Sequence, residues 1–343
     1  MEGYGLHAIR IYEPGLAEVL KYEEMPTPEP GPGEVRIRLR AAGVNHRDIW
    51  VRQGAFGGFA TPKVPGSDGA GEIDALGPNV KGLNIGQRVV INPGVSCGHC
   101  RFCLAGEQPS CQGFQIFDGT YAQFAVVSVN NVVAMPSGLT FAEAASVGVP
   151  FITAEDFFMR SQALPGQTVL LWAANGGLGL AALQLAKRRG LRALAVVRSS
   201  FKQPERLRQY GADEILVWDG GEDLVAEVMT LTQQHGVDIT IDSLGQSTFE
   251  QSLAATRRGG TIVSVGSTTG GLVSFELGRV FRRRQTILGA FLGSSAILPR
   301  ILPLFARGEL TPIIDHSYPL EQADQAHEHL ESSGVFGKII LEI

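Results

Sequence analysis

From residue 167 onward, short apolar runs alternate with stretches of helical spacing, and few folds accept that alternation. Residues 167–173 (QTVLLWA) read as a buried strand, residues 178–189 as a helix with Leu and Ala on one face, and residues 192–197 as the next strand. Further strands are read at 214–218, 237–242, 261–265 and 286–291, separated by helical stretches such as 223–234. Six strands alternating with helices imply an α/β, doubly wound parallel sheet. The first 140 residues differ, reading as short strands between Gly/Pro turns. In residues 35–41, Val, Ile and Leu alternate with three arginines at period two. At 343 residues the chain is too long for one typical core. After Gly293, a helix near 296–307 and a strand at 337–343 are read as lacking a β-α-β partner and returning to the first domain. The expected division is 1–150 with 294–343, and 151–293 inserted between them.

Between the first sheet strand and its helix stands AANGGLG, Ala173 to Gly179. Strand, glycine turn and helix in that order aim free backbone N–H groups and a helix N-terminus at a pyrophosphate. Gly176 is expected to allow the tight turn, Gly177 to let backbone approach phosphate beside Leu178, and Gly179 to let helix pack on strand. Some twenty residues on, an NAD site normally carries an acid for the ribose hydroxyls. Here the run is Val197, Arg198, Ser199, Ser200, Phe201, Lys202, with no acid in it. A guanidinium, hydroxyls and an ammonium suit a 2′-phosphate, which predicts NADPH.

All four cysteines, Cys97, Cys100, Cys103 and Cys111, lie within fifteen residues. Thiolates at that spacing form the ligand set of one tetrahedral Zn²⁺ with no open position, hence a structural metal. Two disulfides are the alternative, but sequential C-x-x-C pairs are poor disulfide partners. A chain without other thiols also reads as reduced and intracellular. No apolar run reaches membrane-spanning length, and no secretory-signal order stands at the N-terminus, so a cytoplasmic location is expected with no membrane partner. A net charge of −5 offers no basic surface for nucleic acid.

With PGPGEVRIRLRAAGVNHRD, GSDGAGEIDALGPNV, GQRVVINPG, GTYAQFAVV, the cysteine lobe, the glycine turn and the closing GKIILEI, the chain resembles the medium-chain dehydrogenase/reductase superfamily over essentially its full length. The resemblance implies a GroES-like β domain split around an inserted Rossmann domain, hydride transfer from a nicotinamide between them, and a homodimer or homotetramer. Zinc alcohol dehydrogenases of that superfamily hold a catalytic zinc with a Cys, a His followed by Glu, and a Cys or Asp. At the matching places this chain has Asn45, Ser67 followed by Asp68, and the neighbourhood of Val149. One carboxylate where three protein ligands are needed implies that the catalytic metal has been lost.

The zinc-free branch is similar to quinone oxidoreductases and enone reductases, and Asn45 with Asp48 fits its N-x-x-D run. Asn45 is the first candidate to donate to the oxygen that receives charge from the hydride, a buried turn amide being the alternative. Asn45, Ser67 and Asp68 are expected to line the substrate end. By the same resemblance His46, Arg47 and Lys338 face the pyrophosphate, Thr153 lies near the nicotinamide, and Val265, Gly266, Ser267, Ala290, Phe291 and Leu292 hold the nicotinamide half. Ordinary surface charges, and a helix N-cap for Thr153, explain those residue types equally. Glu155 and Asp156 read as first-turn acids, and His316, His327 and His329 as surface residues. A local likeness to enoyl thioester reductases lacks its acid, because Phe56 stands where those enzymes have a tyrosine. Aromatic residues at 50–59 and 114–117 suggest an apolar substrate. The leading expectation is an NADPH-dependent reductase of quinones or α,β-unsaturated carbonyls. The alternatives are a zinc-dependent alcohol or aldehyde dehydrogenase, and an NADPH-binding protein without turnover.

Overall fold

In the computed structural model, which describes residues 5–55, 61–221, 223–332 and 334–343, the chain forms two compact units. One is Met1–Ile152 with Ser294–Ile343, the other Thr153–Gly293.

The Thr153–Gly293 unit is built on a six-stranded parallel sheet. Its strands, in chain order, are Thr168–Leu171, Arg192–Val197, Glu214–Val217, Val237–Asp242, Thr256–Ser264 and Thr286–Gly289. Their order across the sheet is 3-2-1-4-5-6, reversing direction between the first and the fourth. Leu170, Leu194, Val196, Leu216 and Val237 are buried with Leu224 and Val228 of the Asp223–Leu231 helix, and the first three strands accordingly read as short continuous apolar runs. The fifth strand starts at Thr256, five residues before the apolar run. Its register shifts against the fourth strand between Val237 and Ile239, and Gly259 sits at φ 69°, so the RRGG segment bulges without ending the pairing.

The other unit centres on the Glu34–Val44 strand of a seven-stranded sheet. Val35, Ile37 and Leu39 point into one core. Arg36 and Arg38 turn outward onto Asp74 at 2.7 and 2.9 Å, and Arg40 pairs with Glu72. The reading of the C-terminal segment needs correction. The strand Lys338–Glu342 does have a β-α-β partner, because Ile314–Pro319 pairs with it in parallel and the Ala323–Glu331 helix connects them. That partner is IDHSYP, a half-exposed strand at the sheet edge whose polar residues and proline hide it from a hydrophobic pattern. Among the described residues no helix is long and apolar enough to cross a membrane.

Candidate functional site

The glycine turn lies where the parallel sheet reverses its strand order, at the carboxyl end of the Thr168–Leu171 strand, the position at which open α/β sheets bind ligands. The turn is closed by Gly176 N–H donating to the Ala173 carbonyl at 3.1 Å. The left-handed residue is Ala173, at φ 50°, and not Gly176, which caps the Gly177–Arg188 helix in an extended conformation at φ −77°. Gly179 behaves as its spacing predicts: a Cβ there would lie 2.5 Å from the Ala173 oxygen and from the Ala174 Cα. Helix start and strand end are therefore in backbone contact. The first N–H groups of a helix, here those of Gly177, Leu178 and Gly179, have no acceptor within it. This cradle fits a dinucleotide pyrophosphate.

Beyond the fourth and fifth strands, Asp242 shapes the loop that faces residues 265–267. It is 1% exposed and accepts from Leu244 N, Gly245 N, Thr248 Oγ1 and Ser252 Oγ, while Val265 N–H donates to its carbonyl. Ala290 N–H donates to Ser264 O, and Leu292 is buried at φ 57°. Thr153 lies inside the Gly148–Arg160 helix, so the N-cap explanation for it is removed. The same boundary moves Glu155 and Asp156 out of the first turn. Glu155 pairs with Arg189 at 2.6 Å, and burial pushes the Asp156 carboxyl up to about 6.

At the end of the second strand Arg198, Ser199 and Lys202 are exposed, and Phe201 is buried beneath them. An acid is present after all. Asp219, two residues past the end of the neighbouring third strand, accepts from Ser199 N–H at 3.1 Å. That hydrogen bonding, with Arg198 and Lys202 nearby, holds its carboxyl below the usual range. Only the pairing of the two strands brings it there, so a search confined to one strand end misses it.

In the other unit Asn45, Asp68 and Lys338 converge from three segments. Lys338 is 5% exposed; its Nζ donates to Asn45 Oδ1 at 2.6 Å and to Val44 O at 2.7 Å, and lies 3.5 Å from Asp68 Oδ2. Asn45 Nδ2 donates to that same Asp68 oxygen at 3.0 Å, and the other, Oδ1, accepts from Val149 N–H at 2.7 Å. A Cβ on Gly148 would lie 2.3 Å from Asp68 Oδ1, so the carboxylate reaches Val149 only because residue 148 is glycine. Burial lowers the Lys338 ammonium pKa, and Asp68 partly opposes that shift. Two expectations change here. Lys338 is no surface lysine, and Asn45 is a tied amide, its second Nδ2 hydrogen directed at Gly43 O, 3.4 Å away.

Arg47 also departs from its expected place. Its terminal nitrogens grip Asp118 at 2.5 and 3.0 Å, and donate to Ser67 Oγ at 3.0 Å and to Ile116 O at 3.2 Å. His46, the first residue of the His46–Arg52 helix, is exposed. Behind them runs a buried chain that the sequence did not disclose. Arg52 can only donate, so its 3.3 Å contact makes His327 Nδ1 the acceptor and leaves the proton on Nε2. Nε2–H then donates to Tyr121 Oη at 3.2 Å, and Tyr121 O–H donates to Asp48 Oδ2 at 3.2 Å. Arg52, His327, Tyr121 and Asp48 are all fully buried. Burial pushes the Asp48 carboxyl up to about 6, against the opposing pull of Arg47 and the Asn45 N–H, and lowers His327 to about 3. His327 is therefore a core residue. His316 is exposed, and His329, partly exposed, contacts Tyr318 Oη at 3.0 Å. Phe56 and the aromatic segment up to Phe59 lie outside the described residues.

The four cysteines are unbonded thiols whose sulfurs all lie within 4.8 Å of one another. Measured pairs are 3.8 Å for Cys97–Cys103 and 3.6 Å for Cys100–Cys103 and Cys97–Cys111. A tetrahedron with metal–sulfur bonds near 2.3 Å has edges of about 3.8 Å, so the donor set fits zinc. Among the described residues no other group of three or more His, Cys, Asp or Glu is arranged to hold a metal.

Residues 31–137 match the alcohol dehydrogenase GroES-like domain, and residues 177–307 the zinc-binding dehydrogenase domain. The quinone oxidoreductase of Rattus norvegicus is 31% identical, the alignment covering 98% of this chain and 97% of that one. The chain belongs to the medium-chain dehydrogenase/reductase superfamily, on its quinone oxidoreductase-like side. Among solved structures of the superfamily, one described as an NAD-dependent alcohol dehydrogenase is 39% identical, with a TM-score of 0.93 over 98% of this chain and 99% of that chain. The Escherichia coli quinone oxidoreductase complexed with NADPH is 25% identical, with a TM-score of 0.86 over 98% and 100%. As a member of this superfamily the protein is an oxidoreductase that works with a nicotinamide coenzyme.

Proposed function

We propose that the protein is an NADPH-dependent reductase of quinones or α,β-unsaturated carbonyls that transfers hydride without a catalytic metal. The observation that carries this reading is the saturation of Asp68. One oxygen accepts from the Val149 amide; the other takes the Asn45 amide and faces the Lys338 ammonium. The only carboxylate in the ligand-poor set Asn45, Ser67, Asp68 and Val149 is thus already coordinated by protein donors, and its nearest cation is a lysine.

The bound nicotinamide supplies the hydride. Gly176, Gly177, Leu178 and Gly179 seat the pyrophosphate, and Arg198, Ser199 and Lys202 take the 2′-phosphate. Val265, Gly266, Ser267, Ala290, Phe291, Leu292 and Thr153 surround the nicotinamide half. At the substrate end, Asn45 acts by position: Lys338 fixes its oxygen and Asp68 its nitrogen, so the amide does not rotate. The substrate oxygen gains charge from the hydride, and a proton from solvent completes the reduction. Reduction of a quinone or an enone tolerates this arrangement, because that charge delocalises onto a carbonyl oxygen without a Lewis acid. The cysteine lobe holds one structural Zn²⁺.

We also assign the edge strand Thr286–Gly289 as the contact with a second copy of the chain in the cytoplasm. It ends the parallel sheet, and exposed Leu277, Phe281 and Ile287 lie on it or on the preceding helix.

The test is NADPH oxidation with a quinone, an α,β-unsaturated ketone and a saturated aldehyde. Turnover of either of the first two with little for the third supports the reading. Preferential aldehyde turnover supports the second reading, an alcohol or aldehyde oxidoreductase, which the likeness to the NAD-dependent alcohol dehydrogenase favours. Tight NADPH binding with no turnover of any of the three overturns both.

A further inference from the structure

We propose that Asp219 sets how strongly the protein discriminates NADPH from NADH. The inference rests on the reading that Arg198, Ser199 and Lys202 form the 2′-phosphate end of the coenzyme site.

The second and third strands pair in parallel with Val197 opposite Val217, so residues two beyond each strand end stand side by side. Trp218 N–H donates to Val197 O at 2.9 Å and continues the pairing to the brink of the loop. There Asp219 Oδ1 takes the Ser199 amide, and Lys202 Nζ donates to the Ser199 carbonyl at 3.1 Å. The carboxylate and the lysine ammonium therefore hold the two backbone groups of one residue, Ser199, next to Arg198 in the chain. Among the described residues no ion pair within 4 Å joins Asp219 to Arg198 or Lys202, so the two cations act on the carboxylate through their field alone.

Asp219 affects the two coenzymes in opposite directions. A ribose 2′-hydroxyl is a donor, and a carboxylate accepts from it, as the strand-end acid of NAD sites does. A 2′-phosphate carries close to two negative charges and has acceptor oxygens only. It must compete with Asp219 for the Ser199 amide and for the field of Arg198 and Lys202, and it is repelled by the carboxylate itself. The arginine and lysine thus favour NADPH while Asp219 limits that preference and keeps NADH usable. All these groups are exposed, so the effect depends on salt.

The experiment is fluorescence titration of the full-length protein with NADPH and with NADH, in the wild type, Asp219→Asn and Asp219→Ser. Asn keeps an oxygen for the Ser199 amide and removes the charge. NADPH should bind Asp219→Asn about tenfold more tightly at low salt, the size expected for a dianion near one solvated carboxylate. NADH should bind no more tightly, and the NADPH gain should shrink at about 0.5 M salt. Asp219→Ser should shift the ratio in the same direction. An unchanged NADPH-to-NADH ratio in both variants, or equal tightening of both coenzymes, overturns the proposal. The underlying reading is tested separately by Arg198→Ala: if that change leaves NADPH affinity intact, the 2′-phosphate assignment fails whatever Asp219 does.

Discussion

The cysteine lobe and the Asn45–Asp68–Lys338 cluster show opposite ways of satisfying clustered polar groups. The lobe gathers four thiols from fifteen residues of chain, and apart from one another they meet donors of that same short stretch, such as the His99 N–H at Cys97 and the Ser96 hydroxyl at Cys103. The cluster draws on three segments spread over almost three hundred residues, and its members satisfy one another: the ammonium donates to the amide oxygen, the amide nitrogen to the carboxylate, and the Val149 N–H to the carboxylate's other oxygen. A set of thiols that can shed their protons and keep their lone pairs invites a cation. A set that already contains an ammonium does not, because an incoming metal must displace a charge that burial has made costly to leave unpaired. The same frame thus holds one place built for a metal and another in which a lysine does the neutralising.

The largest effect that sharpens this contrast is Cys103→Ser. Losing one of four ligands should abolish zinc retention and lower the melting temperature by about 10 °C, given the several kcal/mol that structural zinc contributes. Metal analysis and a thermal scan check it; a variant that keeps both zinc and melting temperature breaks the contrast on the lobe side. Next comes Lys338→Met, which strands Asp68 without its cation and should cost about 3–5 kcal/mol in urea unfolding. Adding Asp68→Asn should recover much of that cost. If Lys338→Met costs under about 1 kcal/mol, the cluster is not held by its charges.

A pH-dependent effect of similar or smaller size is expected at Asp48. Its folded-state pKa, about 6, lies above the ordinary carboxylate value of 3.8, so the folded chain binds the proton more tightly than the unfolded one. Its contribution to stability is therefore full below about pH 4 and is lost as pH rises through 6. Relative to Asp48→Asn, the wild type should lose up to about 3 kcal/mol between those limits. Urea unfolding of both proteins at acid and neutral pH measures the difference, and equal pH profiles would contradict it. The smallest expected effect is Arg198→Ala, which should weaken NADPH about tenfold in fluorescence titration while NADH changes little.

What could be read without the structure follows from how local each signal is. The fourth strand, Val237–Asp242, has the bounds its sequence suggests, because Val237, Ile239 and Ile241 recur at strand period between Asp238, Thr240 and Asp242. Ile314–Pro319 escaped notice because an edge strand need not be apolar. The cysteine lobe was legible because its ligands are neighbours in the chain. The environments of Arg47, Lys338, Asp219 and His327 were not, since each is decided by partners 20 to 294 positions away. Even within the glycine turn, spacing identified the close approach at Gly179 and the turn at Gly176, but gave no sign that the left-handed residue is Ala173.

Zinc stoichiometry of the purified protein, with quinone, enone and aldehyde turnover measured before and after mild chelation, tests the central claim most directly. The account predicts one firmly held zinc per chain, with quinone or enone reduction that chelation does not change. Two zincs per chain, with aldehyde turnover that chelation abolishes, would contradict it and return Asp68 to the role of a metal ligand.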